Sequence, residues 1–238
     1  MLKNLVKKII SRWPGRYWQF WGRKLLLLDP WQKRIFPQQR WLLEQIKAHE
    51  PRSILEAGCG FGRNLNFLIK QGIKPEILTG ADISAKLLSQ SNLPKGIKLI
   101  RADVRNLPFN DRSFDLVFTH GLLMHVNPRN LNRAMAELIR ISKKYLIIIE
   151  EVRPRTQQLN YFTWAHDYDK IIKSLPLKVM IKKKGKYSLV WYLLKKLNTV
   201  IRVSSTPTNF REPTLIICPP GWSNPRPRYW NWARPPAL

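Results

Sequence analysis

From residue 52 onward, short apolar runs alternate with segments of helical period. The runs at 53–58, 77–83, 97–104, 114–119 and 145–149 have strand character. Between these runs, apolar residues recur at the i, i+3, i+4 spacing of amphipathic helices. One such helix is predicted at about 63–71. This alternation predicts βαβ units in a parallel sheet. The near-continuous apolar run 145–149 indicates a strand that is covered on both faces.

Capping signals mark the helices. Asn127-Pro128 places a capping amide before a proline at the first helical position. The buried stripe of that helix is predicted to be Leu131, Met135, Leu138 and Ile139. Ser84 is a candidate cap for the helix that follows the second strand.

The pattern then changes to a short helix and two more strands. We expect a helix from His166 to Leu175, ended by Pro176, followed by strands at 177–184 and 187–194 around Gly185. A helix over 187–197 is the alternative for the last segment. Seven strands are predicted in all.

The two ends of the chain differ from this middle part. Residues 1–50 begin with a basic amphipathic segment and continue with five tryptophans interleaved with arginine and lysine. They could lie in a membrane interface, pack over the domain as a helical extension, or stack on nucleic acid. Residues 199–238 are rich in proline and are predicted to be disordered, with a short apolar run at 215–217 that could add an edge strand. Residues 51–198 are the predicted domain.

The net charge of the chain restricts the kinds of partner that it is expected to bind. The chain has 42 Lys and Arg against 15 Asp and Glu, a formal net charge of +27, which favours anionic partners. Two cysteines are too few for a disulfide framework or a metal cluster, so no metal is expected. Apolar runs are too short for a spanning helix, and the basic start lacks the features of a signal peptide. We therefore expect a cytoplasmic protein, with a peripheral position at the inner membrane face as an alternative.

The candidate chemistry centres on a glycine loop at 58–62. The strand that carries Glu56 leads into Gly58-Cys59-Gly60-Phe61-Gly62, where alternate glycines allow a tight turn and a close approach of ligand to backbone. Asp82 and Asp103 follow the next two strands. Because the carboxyl ends of parallel strands meet at one edge of a sheet, the three acids should stand together.

This pattern resembles the class I S-adenosylmethionine-dependent methyltransferases. The resemblance covers about residues 52–185 and implies an α/β, Rossmann-like, doubly wound seven-stranded sheet, mostly parallel with an antiparallel last strand. The hairpin predicted from the last two strands fits the antiparallel edge that closes such a sheet. It also implies S-adenosylmethionine as the cofactor. Its site residues would be Glu56, Gly58, Cys59, Gly60, Gly62, Asp82, Ile83, Asp103, Val104, Thr119 and His120. Of these, Asp82 suits the ribose hydroxyls, Asp103 and Val104 the adenine, and Glu56 the cationic end of the cofactor; Cys59 is expected mainly to fill space.

The later segments resemble the small-molecule branch of that family. Residues 107–126 carry most of this resemblance, and residues 140–151 and 166–168 are similar to bacterial methylases of surface-sugar biosynthesis, such as the pseudaminic-acid-associated ones. A hydroxyl or protonated amine acceptor must lose a proton, which histidine can take near neutral pH. The catalytic candidates are His125 and His166. A packing role remains open for His125, and His120 is expected to line the cofactor.

Three functions remain open. The first is methyl transfer to oxygen or nitrogen of a small molecule, glycan or lipid precursor, with a possible membrane contact through residues 1–50. The second is methylation of RNA or another nucleic acid, which the charge favours. Against it, Thr119-His120-Gly121-Leu122 differs from the Asn/Asp-Pro-Pro-aromatic loop that grips a flipped base. The third is a non-catalytic cofactor-binding or membrane-associated module.

Overall fold

The computed structural model describes residues 34–153, 155–160, 163–185 and 188–197. The helices are α1 (Pro37–His49), α2 (Arg63–Lys70), α3 (Ala85–Leu88), α4 (Pro128–Ile141) and α5 (Tyr168–Lys173). The strands are β1 (Ile54–Ala57), β2 (Leu78–Asp82), β3 (Lys98–Arg101), β4 (Phe114–His120), β5 (Ser142–Glu151), β6 (Gln157–Asn160), β7 (Thr163–Ala165), β8 (Leu177–Lys184) and β9 (Leu189–Lys196). Short 3-10 turns lie at Pro75–Ile77 and Leu123–His125.

Seven of these strands form one sheet in the order β3-β2-β1-β4-β5-β9-β8. The first five run parallel, and β9 pairs antiparallel with both β5 and β8. The predicted fold class, including the antiparallel last strand, is confirmed. The predicted hairpin, formed by β8 and β9, closes the sheet, with β9 beside β5 and β8 at the edge. The separate hairpin β6-β7 was not predicted.

Hydrophobic cores cover both faces of the sheet, because its central strands alternate their side chains between them. In β5, Leu146 and Ile148 belong to one core, and Ile147 and Ile149 to the other. The stripe of α4 and the buried face of α5 complete the first core. Residues from α1 and α2 complete the second core. The layers are therefore helix, sheet and helix.

The predicted capping of α4 is confirmed. Asn127 is the N-cap, its side-chain oxygen accepts the Arg129 N–H at 3.0 Å, and Pro128 holds the first helical position. The predicted stripe Leu131, Met135, Leu138 and Ile139 is buried. Ser84 likewise caps α3 and accepts the Leu87 N–H at 3.3 Å.

Part of the predicted N-terminal extension is described. Helix α1 lies within residues 1–50, and its Trp41, Leu42 and Ile46 are buried in the second core. The predictions for residues 1–33 and for the proline-rich tail lie outside the described residues. Within the described ranges, no helix is long and apolar enough to cross a membrane.

Candidate active site

One large cavity, of about 640 Å³, opens at the carboxyl ends of the parallel strands. It lies at the point where the strand order of the sheet reverses, because β2 lies on one side of β1 and β4 on the other. Ligands of open α/β sheets bind at such switch points. Glu56, Asp82 and Asp103 all line this cavity, so the predicted convergence of the three acids is found.

The glycine loop between β1 and α2 forms the floor of the cavity. Gly58 and Gly60 have φ values of 77° and 57°, in the left-handed region that favours glycine. The Gly58 and Cys59 N–H groups donate to the Ala81 carbonyl at 2.7 and 3.1 Å, which ties the loop to β2. A Cβ atom on Gly58 would lie 2.7 Å from the Leu122 side chain. The loop therefore packs directly against the segment that follows β4.

Glu56 sits beneath this loop in a polar network. Its side chain is 1% exposed, and Oε1 accepts the Asn64 side-chain amide at 2.6 Å. Asn64 in turn accepts from the Gln39 amide of α1 at 3.1 Å. Glu56 Oε2 is buried without a hydrogen-bond partner among the described residues. Burial raises the pKa of Glu56 to about 8, against the lowering effects of Asn64 and Arg63.

Arg63 and His120 extend the network into the cavity wall. Arg63 Nη2 lies 3.4 Å from His120 Nδ1, and the guanidinium lies over the Phe36 ring at 5.5 Å. Burial lowers the pKa of Arg63 to about 10, so this group stays cationic at neutral pH. Burial, followed by the Arg63 charge, holds the pKa of His120 well below its ordinary value. His120 is therefore neutral and lines the cavity. Its contact with the cofactor stays a prediction.

The other two strand-end acids differ in their partners. Asp82 accepts the Gly60 N–H on Oδ2 at 2.9 Å and the Ser84 N–H on Oδ1 at 2.8 Å. Burial raises the pKa of Asp82, although both hydrogen bonds favour the charged form. Asp103 is bound by the Arg105 guanidinium, with Nε at 2.9 Å from Oδ1 and Nη2 at 2.5 Å from Oδ2. Sequence reasoning missed this ion pair, which occupies the carboxylate predicted to meet adenine.

Most of the predicted site residues line the cavity, and three do not. Cys59, Ile83, Val104 and His125 join the acids and glycines discussed above. The described residues that line the cavity do not include Gly62, Thr119 or His166. Gly62 is instead the N-cap of α2, with a φ of 85° in the left-handed region that favours glycine. Thr119 is fully buried and interacts with Glu150 below the cavity.

His166 is also buried away from the cavity. Its Nε2 donates to the carbonyl oxygens of Leu123 and Val126, both at 3.1 Å. Burial lowers its pKa, so the ring is neutral. This placement does not support the prediction that His166 removes a proton from the acceptor. His125 keeps that candidate role because it lines the cavity.

One wall of the cavity, formed by the β8-β9 hairpin and Phe36 and called the far wall below, was not predicted from the sequence. Lys184, Gly185, Leu189 and Trp191 bring the β8-β9 hairpin to the cavity, and Phe36, just before α1, lines it as well. Trp191 packs against Trp41 with ring centroids 5.6 Å apart. These residues are distant in sequence, and only the insertion of β9 beside β5 brings them to the strand ends. For Arg63 a signal did exist, since it directly follows the glycine loop.

Comparisons with known proteins agree with this geometry. Residues 54–145 match the family model described as "Methyltransferase domain". This segment is therefore similar to methyltransferase domains. A protein of Encephalitozoon cuniculi named as a methyltransferase is 38% identical over 91 residues, which are 38% of this chain and 40% of that protein. The phthiotriol/phenolphthiotriol dimycocerosates methyltransferase of Mycobacterium tuberculosis is 32% identical over 93 residues, 38% of this chain and 33% of that protein.

Solved structures extend the similarity of fold beyond the methyltransferase domain match. Magnesium protoporphyrin IX methyltransferase from Synechocystis, with bound S-adenosylhomocysteine, has a TM-score of 0.60 at 15% identity and covers 76% of this chain and 97% of its own. The [4+2]-cyclase SpnF has a TM-score of 0.59 at 13% identity, over 79% of this chain and 96% of its own. The fold alone therefore does not fix the reaction. The class I fold is confirmed. S-adenosylmethionine as the cofactor agrees with the match to the methyltransferase domain model.

The side chains within residues 54–145 fit that cofactor. Its amino acid part carries an ammonium group, which matches the buried, unpartnered Glu56 Oε2. Each Asp82 oxygen accepts one backbone N–H and has a further lone pair for a ribose hydroxyl. The Asp103 carboxylate could accept a hydrogen bond from adenine only while it also binds Arg105. The chain spans 40% and 33% of the two relatives described above, so the activity of the whole protein is a matter for proposal.

Proposed function

We propose that this chain transfers the methyl group of S-adenosylmethionine to oxygen or nitrogen of a small-molecule, glycan or lipid-precursor acceptor. The observation that carries this proposal is the shape of the site. One cavity joins the acidic strand ends to a far wall that holds Phe36, Leu189 and Trp191. The first part is suited to a cationic nucleoside, and the second offers room and apolar surface for a separate acceptor.

The chain's own residues would divide the cofactor between them. Glu56 would hold the ammonium group and Arg63 the carboxylate of the amino acid part. Contact with the ammonium cation would favour the ionised form of Glu56. Asp82 would accept from the ribose hydroxyls, and the wall at Asp103 and Val104 would meet the adenine. The bound cofactor supplies an electrophilic methyl group on a sulfonium. The protein contributes chiefly by aligning the acceptor, an effect that can be worth several kcal/mol.

Three observations support the proposed class of acceptor. The mycobacterial relative is named for a lipid acceptor and the Synechocystis structure for a porphyrin. Residues 140–151 and 166–168 resemble surface-sugar methylases, as noted above. The far wall combines aromatic rings with Lys184, a pairing suited to an amphiphilic acceptor with an anionic group. An acceptor screen should therefore include lipid precursors, sugar nucleotides and porphyrin-like aromatics.

Calorimetry tests the cofactor directly. We expect the protein to bind S-adenosylmethionine and not NAD, and Asp82→Asn to weaken binding about 10- to 100-fold through a lost charge-assisted hydrogen bond. Asp111→Asn is the matched control, because Asp111 is exposed and pairs only with Arg140 among the described residues. Absence of S-adenosylmethionine binding by the unmodified protein would refute the proposal.

The role of His125 is tested once the screen returns an acceptor. We expect His125→Ala to lower the turnover number about 10²- to 10⁴-fold, as for a lost general base, with cofactor affinity unchanged. His49→Ala is the control, since the His49 ring contacts Gln45 and Tyr145 outside the cavity. An unchanged turnover number would leave His125 with a packing role. Cofactor binding without any transfer would instead favour the non-catalytic module.

A membrane or nucleic-acid partner requires separate assays. A membrane contact through residues 1–50 stays a prediction, tested by flotation of the full chain with anionic and with zwitterionic vesicles. The net charge of +27 keeps RNA as the second candidate acceptor. Methylation of RNA should collapse as salt rises, because phosphate contacts release counterions. Activity on RNA that does not change with salt would exclude that candidate.

A further inference from the structure

The turn that follows β4 is held from beneath by two buried side chains. This turn, residues 121–126, includes the 3-10 segment Leu123–His125, and its Gly121, Leu122, Met124 and His125 line the cavity. The side chains that hold it are Glu150 at the end of β5 and His166 after β7. Neither is among the described residues that line the cavity.

Glu150 binds the N–H side of the turn. Its Oε1 accepts the Leu122 and Leu123 N–H groups at 2.9 and 3.0 Å, and its Oε2 accepts the Met124 N–H at 3.2 Å. The residue is 0% exposed, so these bonds form without competition from bulk water. One carboxylate therefore fixes three consecutive backbone groups.

His166 binds the carbonyl side of the same turn. Its Nε2 donates to Leu123 and Val126, as described above, and the ring is 0% exposed. The two side chains have opposite hydrogen-bonding characters, one accepting and one donating. Together they leave the turn little freedom to shift relative to the sheet.

The position of the turn matters because it touches the glycine loop. The Leu122 side chain occupies the space into which a Cβ atom on Gly58 would project. A shift of the turn by about 1 Å would therefore change the floor of the cavity and the direction of His125, and placement errors of that size weaken ligand contacts.

We propose that Glu150 and His166 are positioning residues that hold the turn after β4 against the glycine loop and thereby set the affinity for the cofactor. This inference rests on the cofactor assigned above and assigns His166 a role other than proton transfer.

Substitutions that keep or remove single hydrogen bonds separate the possibilities. Glu150→Gln can still accept on one oxygen, but its amide group would face the Met124 N–H, donor against donor. His166→Gln retains an N–H donor in about the place of Nε2, whereas His166→Leu has none. A general base at this position would be lost equally in both variants.

Calorimetric titration with S-adenosylmethionine is the test, with urea unfolding to identify conditions in which every variant is folded. We expect Glu150→Gln and His166→Leu to weaken binding about tenfold, the effect of one lost bond of about 1.4 kcal/mol. His166→Gln should stay within about threefold of the unmodified protein. Backbone amide NMR signals of residues 122–124 should move in Glu150→Gln.

Asp115→Asn is the matched control for Glu150→Gln. Asp115 is a buried carboxylate at the other end of β4, where it accepts the Arg52 N–H at 3.0 Å. The positioning role is overturned if both carboxylate-to-amide variants change cofactor affinity equally, or if His166→Gln binds as weakly as His166→Leu. Failure of the unmodified protein to bind would instead refute the proposed function.

Discussion

Two glutamates at the strand ends owe their chemistry to burial more than to charge pairing. Burial raises the pKa of Glu56 to about 8 and that of Glu150 to about 7, although each accepts hydrogen bonds that favour its charged form. An ionised carboxylate is costly away from water, so the loss of hydration exceeds the gain from its partners. Both side chains are placed to accept hydrogen bonds. Glu150 accepts them from backbone N–H groups, and Glu56 Oε2 would accept one from a ligand.

The first prediction concerns the pH dependence that Glu56 gives to stability. Its pKa in the folded chain lies above the ordinary 4.5, so the folded state binds the proton more tightly. The stabilisation is therefore complete below about pH 4.5 and is lost as pH rises from there to about 8. Relative to Glu56→Gln, the unmodified protein should lose a free energy of unfolding on the order of 2–4 kcal/mol over this interval.

Urea unfolding at pH 5 and pH 8 measures this difference between the two proteins. Glu150 titrates in both and cancels in the comparison. An equal pH dependence for the unmodified protein and Glu56→Gln would show that Glu56 titrates near its ordinary pKa.

At the scale of elements, the insertion of β9 beside β5 completes both the sheet and the site. Its residues pair with β5 from Tyr145↔Lys195 to Glu151↔Leu189, so its N-terminal end lies at the strand ends where the cavity opens. Trp191 reaches the cavity for this reason. At the opposite end, Lys196 donates to the carbonyls of Ile139 and Ser142 at 2.7 and 2.9 Å, where α4 ends and β5 begins.

The second prediction is that this lysine stabilises the junction of α4 and β5. Cations that bond the last carbonyls of a helix are favourable, and hydrogen bonds to charged groups are worth about 1.5–3 kcal/mol. Lys196→Met should lower the free energy of unfolding by about that amount. The neighbouring Lys195→Met is the control, because Lys195 is exposed, and its change should stay within about 0.5 kcal/mol. Equal effects in urea unfolding would contradict the assignment.

At the scale of the whole molecule, the net positive charge destabilises the compact folded state. A net charge of +27 over 238 residues produces self-repulsion, which salt screens. The β8-β9 pair shows the same conflict locally, since Lys178 lies directly opposite Lys195. Like charges in that position are destabilising.

The third prediction follows from this repulsion. Raising NaCl from 20 to 300 mM should raise the melting temperature by about 2–4 °C, equivalent to roughly 1 kcal/mol for a domain of this size. Lys178→Glu should be more stable than the unmodified protein at low salt, and the gap should narrow at high salt. A melting temperature that falls with NaCl would show that attractive ion pairs outweigh the repulsion.

The sequence by itself determined the strands and helices, the parallel sheet and the acids at its edge. These follow from local pattern, because apolar period and capping residues act within a few positions and each βα unit returns the chain to the same edge. The three acids and two of the three loop glycines were therefore found in the cavity. His166, predicted on the substrate side, is absent from the described lining of the cavity, since order along the chain does not determine which way a side chain points.

Only the tertiary structure decided the rest. The contacts of Glu150 and His166 with the turn after β4, and the position of Trp191 in the cavity, join residues that only the register of strands brings together. Register is fixed by the packing of whole faces against the two cores, which no short stretch of sequence contains. The cofactor half of the site was thus predictable from motif and topology, whereas the acceptor half depended on β9.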